Sequence, residues 1–151
     1  MDMQKIFETV ARHLLTQKLK CVTSSRGGAY HRQANNLRCA IGCLIPDALY
    51  NKRIEGKDVD DLLTSRSPLG EHLRKLTGFS GKEDEFGDYQ HKDERLIDFL
   101  SALQSCHDET EPYHWATELR RIGKRFRLDY AFIPANWPAE EVAPPKRLVE
   151  V

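Results

Sequence analysis

Apolar and polar positions alternate along most of this chain with the period of a helix. Ile6, Phe7, Val10, Ala11, Leu14 and Leu15 recur at spacings of three and four over residues 3–19, giving one apolar stripe. Asp2 stands where an N-cap is needed, although Lys5 denies it a capping box. Residues 23–28 are polar and turn-forming. Residues 29–32 and 37–40 flank Gln33-Ala34-Asn35-Asn36, and because Asn accepts positive φ the pattern predicts a short β-hairpin. An apolar run continues to Ile45, and Pro46 suits the first position of a new helical turn.

Gly56 precedes a short helical stretch over 57–64 with Val59, Leu62 and Leu63 inward. Ser67-Pro68 reads as N-cap and first turn of the next helix, with Leu69, Leu73 and Leu76 on its face and Gly78 as its terminator. Residues 80–93 are charged and carry two glycines, as an exposed loop would. Leu96, Phe99, Leu100 and Leu103 define another helix ending near Cys106-His107, and Thr110-Glu111-Pro112 opens the last, with Trp115, Leu119, Ile122 and Phe126 inward. After Leu128 the pattern dissolves into four of the seven prolines, which exclude helix and sheet interiors. The fold expected is mainly α, of α+β class. One compact domain of about five helices with a short β-hairpin spans 1–128, and an extended Pro-rich arm spans 129–151.

Composition narrows the function classes. At 151 residues one domain is expected, and 23 basic residues against 23 acidic leave no global field to attract nucleic acid or an anionic membrane. No apolar run approaches the ~18 residues of a membrane span, and no signal-peptide stretch follows Met1. A cytoplasmic protein is expected, with Cys21, Cys39, Cys43 and Cys106 as reduced thiols.

The chemical signals compete with plainer readings. Cys39 and Cys43 with His31 or Cys21 would make a tetrahedral zinc set, but the paired-knuckle spacing of structural zinc sites is missing and His91, Cys106, His107 and His114 are scattered. Core thiols are the preferred reading, so neither metal nor cofactor is assigned. Cys39 as a nucleophile with His107 as base and Asp108 as orienter is the catalytic alternative, although two adjacent residues are poorly placed for that relay. Asp47, Glu55, Asp58, Asp60 and Asp61 fit no calcium-loop spacing, and Gly27-Gly28 is no phosphate loop. Arg120, Arg121, Lys124, Arg125 and Arg127 read as the solvated face of an amphipathic helix in preference to a nucleic-acid surface.

A resemblance enters through His13-Leu14-Leu15-Thr16-Gln17, Tyr30-His31-Arg32, the run Cys39-Ala40-Ile41-Gly42-Cys43-Leu44-Ile45-Pro46-Asp47-Ala48-Leu49-Tyr50, Glu55-Gly56, His107-Asp108 and Trp115. Over roughly residues 3–128 these resemble an uncharacterised family of small bacteriophage and prophage proteins with a Cys-Ala-x-Gly-x-Leu-Ile-Pro-Asp-x-x-Tyr signature. The resemblance implies phage or mobile-element origin and brings no settled activity with it. Residues 80–93 and the arm depart from its pattern. The signature's small and apolar members are expected at the centre of the core, with Gly42 allowing a close approach. The function expected is that of a non-enzymatic accessory protein acting in the host cytoplasm. It would bind a host macromolecule, a protein ahead of nucleic acid, for instance to inhibit a defence or metabolic complex. Tyr30, Arg38, Asp47, Tyr50 and Glu55 are candidate binding residues, joined by Tyr130, Phe132 and Trp137 because aromatics dominate interface hot spots. The oligomeric state is left open.

Overall fold

The structure, a computed structural model, describes residues 1–22, 30–32 and 36–135. It is mainly helical, as the periodicity predicts. Helix α1 runs Met3–Gln17, with the Asp2 side chain accepting from Lys5 N–H at 2.8 Å and Lys18 closing the end at φ 62°. Two-residue strands β1 (His31–Arg32) and β2 (Leu37–Arg38) pair antiparallel, His31 opposite Arg38. Three single 3₁₀ turns follow at Gly42–Leu44, Asp47–Leu49 and Lys52–Ile54. Pro46 does not enter the second of these; it caps it from an extended backbone, φ −61° and ψ 144°.

Helices α2 (Val59–Thr64) and α3 (Pro68–Thr77) sit side by side. In α3 the Ser67 hydroxyl accepts from Gly70 N–H at 3.2 Å, and Gly78 at φ 77° takes the left-handed terminal position. The longest helix, α4 (His91–Glu109), packs on α5 (Trp115–Arg125), on α2 and on α1, after a 3₁₀ turn at Pro112–His114. The core is continuous through these helices. Phe7, Phe99 and Phe126 meet ring to ring, with centroids 6.5 Å and 5.2 Å apart. Trp115 is wholly buried and its indole N–H donates to Thr110 O at 2.9 Å.

A further difference from the pattern has a clear cause. The polar segment expected over 80–93 ends at Gln90, and Asp93 is buried inside the first turn of α4. Its carboxylate accepts from Ser80 N–H (3.0 Å), Ser80 O–H (2.6 Å) and Gly81 N–H (3.1 Å). Burial alone would raise its pKa, but these donors outweigh burial and hold it below the usual carboxylate range. A charged residue buried by three donors has no apolar signature.

The start of the C-terminal arm packs onto the helices. Ile133 is buried, Phe132 lies edge-on to Phe7 at 5.7 Å, and Tyr130 covers Gly123. A Cβ on Gly123 would come within 2.9 Å of the Tyr130 ring, so the glycine lets the arm lie close to α5. Trp137 and the rest of the arm lie outside the described residues.

Candidate functional site

The polar members of the signature are drawn inward by backbone groups that no regular element satisfies. Between β2 and α2 the chain makes only 3₁₀ turns, so side chains serve many of its N–H and C=O groups. Glu55 accepts from Tyr30 N–H at 2.9 Å with one oxygen and from the Tyr50 hydroxyl at 2.9 Å with the other. The Tyr30 hydroxyl donates to Lys57 O. Burial, then the nearby negative groups, raise the Tyr30 pKa, so the hydroxyl stays a donor. Burial and Glu55 push Tyr50 up to about 12. Arg38 lies against Asp47 at 2.6 Å; its backbone N–H donates to Gln17, and its carbonyl accepts from Gln17 (2.8 Å) and His13 (2.9 Å). Tyr30, Tyr50 and Glu55 thus join in one set of hydrogen bonds and Arg38 with Asp47 in another, and both brace the segment.

Gly42 is required where these layers meet. A Cβ there would stand 1.7 Å from Tyr30 O, inside any van der Waals limit. Cys39 is fully buried behind it, its sulfur accepting from Gly42 N–H at 3.2 Å. Burial pushes its thiol well above the ordinary cysteine pKa, opposite to what an activated thiolate needs. The thiols of Cys43 and Cys106 are pushed up to about 12 by burial as well. Cys21 Sγ donates to Leu37 O and Cys43 Sγ to Ala40 O. Among the described residues no three His, Cys, Asp or Glu side chains gather where a metal ion could be held.

His107 and Asp108 do hydrogen-bond, contrary to the expectation from their adjacency: Nδ1 and Oδ1 are 2.7 Å apart. Catalysis is nevertheless poorly served by this pair. His107 is wholly buried, stacked on Trp115 at 5.6 Å, and its Nε2 accepts from the backbone N–H of Cys21 at 2.9 Å. A backbone amide can only donate, so Nε2 carries no proton and the ring is a neutral imidazole donating from Nδ1. The nitrogen a general base would use is taken. Instead of a relay toward Cys39, the ring joins α4 to the segment after α1.

An open cleft lies beside this network. The residues from Gly56 to Val59 form one wall, and Ser101, Gln104, Ser105 and Asp108 of α4 form the other, around a cavity of about 290 Å³ with Tyr30 at its base. Gln104 is fixed at both ends, accepting from Ile41 N–H at 3.1 Å and donating to Asp108 Oδ1 at 3.0 Å. The sequence reading missed Ser101, Gln104 and Ser105. The available signal was their spacing with Asp108: i, i+3, i+4 and i+7 place all four on one polar face of α4. A second cavity of about 420 Å³ between α4 and α5 shares Ser101 and Ser105 and mixes Asp98, Glu109 and Glu118 with Arg121 and Arg125.

The surface shows one further feature. In the polar segment before α4, Asp84 Oδ1 accepts from Phe86 N–H (2.8 Å) and Asp88 N–H (2.9 Å), and Glu83 bridges Tyr89. Phe86 at its tip is 80% exposed, among Glu83, Asp84, Glu85 and Asp88. No described helix is long and apolar enough to cross a membrane. No protein-family model, no curated protein and no solved structure matches the chain.

Proposed function

We propose that this chain is a phage or mobile-element accessory protein that acts by binding a host protein, for instance to inhibit a defence or metabolic complex in the host cytoplasm. The observation that carries a binding reading over the catalytic alternative is the engagement of His107. Both ring nitrogens are spent on Cys21 N–H and Asp108, while Cys39 is a fully buried thiol. A small hydrolase or transferase using Cys39 and His107 would have to break these bonds first. The braced segment presenting Phe86 is the contact element this reading favours, because an exposed aromatic held in a fixed loop gives up little entropy on docking.

The test is affinity purification of the tagged chain from its bacterial host, run in parallel with Phe86→Ala and with a chain ending at Ala135. A stoichiometric host protein that is lost or weakened with Phe86→Ala supports the reading. A clean, partnerless protein overturns it. The truncation belongs after Ala135, since removal from residue 129 onward would also strip Ile133 and Phe132 from the packed helices.

A further inference from the structure

We propose that the cleft between the Gly56–Val59 wall and α4 binds an alkyl-tethered cation, an ammonium or guanidinium carried on a short aliphatic chain. Charge defines the cleft. Each wall contributes a carboxylate, Asp58 before α2 and Asp108 on α4. Asp108 touches an imidazole, yet that imidazole is neutral because its Nε2 accepts from Cys21 N–H. His107 therefore orients the Asp108 carboxylate without cancelling its charge. Both hydrogen bonds to this carboxylate, from His107 and Gln104, arrive at Oδ1, which leaves Oδ2 for a ligand.

The neighbouring cations do not compensate this charge. The ammonium of Lys20 reaches the backbone oxygen of Asp108 at 3.4 Å and is paired with Glu111 at 3.4 Å. Lys57 lines the cleft, and its backbone carbonyl is taken by the Tyr30 hydroxyl. One ammonium against two carboxylates leaves the cleft acidic.

Shape and lining set the rest of the ligand. A volume of about 290 Å³ lies at the small end of the ~300–1,000 Å³ range of ligand pockets, suited to a side-chain-sized molecule. The exposed edges of Tyr30 and Val59, both otherwise buried, leave a narrow apolar strip for methylenes beside the stem of Lys57. Ser101, Ser105 and Asp108 form a row of acceptors that spans roughly 10 Å along α4 at ~1.5 Å rise per residue. An extended donor chain matches that row. Such a cation is borne either by an arginine or lysine of a docked protein or by a free linear polyamine. The inference stands whether or not the host-partner reading holds.

The experiment is a ¹H–¹⁵N NMR titration of the full chain with N-acetyl-arginine amide and, separately, with spermidine. N-acetyl-norleucine amide is the neutral control. Saturable shifts confined to Tyr30, residues 56–59 and residues 101–108 are expected with at least one cation and not with the control. Asp58→Asn and Ser105→Ala, neither of which touches the His107 network, should each weaken binding, the former by about tenfold. A preference for the arginine amide assigns the site to a protein-borne cation, and a preference for spermidine assigns it to a free polyamine. Shifts scattered over the acidic surface, no saturation with either cation, or unchanged affinity in Asp58→Asn would overturn the proposal. A failure of the affinity purification leaves this result untouched, so the two ideas fail separately.

Discussion

The layer formed by α1, α4 and α5 and the segment from Tyr30 to Asp58 reach order by different routes. The helical layer is held by rings and aliphatic chains, with Phe7, Phe99, Phe126 and Trp115 at its centre. The segment has two two-residue strands and three 3₁₀ turns, and it is held by side chains reaching backbone groups: Glu55 to Tyr30, Gln17 and His13 to Arg38, Gln104 to Ile41. Packing of the first kind depends on volume and tolerates exchange of one apolar residue for another. Bonding of the second kind depends on particular atoms and leaves little room for substitution.

The largest effect expected is in the helical layer. Phe99→Ala empties the centre of a fully buried ring cluster and should cost about 3–5 kcal/mol in urea unfolding, whereas Phe99→Leu should recover most of that loss. In the braced segment the smallest addition should hurt nearly as much. Gly42→Ala pushes a methyl into Tyr30 O and should cost about 3 kcal/mol or more, with no apolar replacement able to relieve it. If Gly42→Ala were neutral, the contrast between the two regions would collapse.

The joint between the regions comes next. His107→Ala orphans Cys21 N–H and removes the stack on Trp115, and should cost roughly 2–3 kcal/mol. Its diagnostic readout is faster hydrogen exchange at Cys21 beyond the global change. The smallest effect concerns His13, whose pKa burial lowers from 6.5. The folded state binds that proton less readily than the unfolded one. Its contribution to stability is therefore fully present above pH 6.5 and is lost as pH falls through the lower folded value. His13→Gln should flatten the urea midpoint against pH in that acidic window. An unchanged slope would mean the titration resides elsewhere.

The same contrast explains what the sequence made legible. Helices α1, α3, α4 and α5 were readable within a few residues, because burial on one face leaves a repeating pattern and Asp2, Ser67 and Gly78 mark its ends. Gly42 was readable as a close approach, and its partner, Tyr30 O, was not. Tyr30, Arg38, Asp47, Tyr50 and Glu55 were singled out as candidate binding residues, but the hydrogen bonds that join them span separations that no local pattern encodes, 25 residues for Tyr30 with Glu55. The neutral state of His107 depends on an amide 86 residues away. Ser101, Gln104 and Ser105 went unnoticed because a polar helix face normally meets only solvent; here the Gly56–Val59 wall stands opposite it.

The docking of the arm's first residues on the helices has a practical reach. The arm returns to the beginning of α1, where Gln4 binds residue Asp129 twice, donating to its carbonyl at 3.0 Å and accepting from its N–H at 2.8 Å. An amide side chain that imitates a strand partner in this way brings positions 4 and 129 side by side. A covalent cross-link between cysteines placed at these two points would therefore tie the arm to α1 without removing Tyr130, Phe132 or Ile133 from the helices. The gain in stability of the cross-linked chain over its reduced form would then measure how far the docked arm steadies the helical layer.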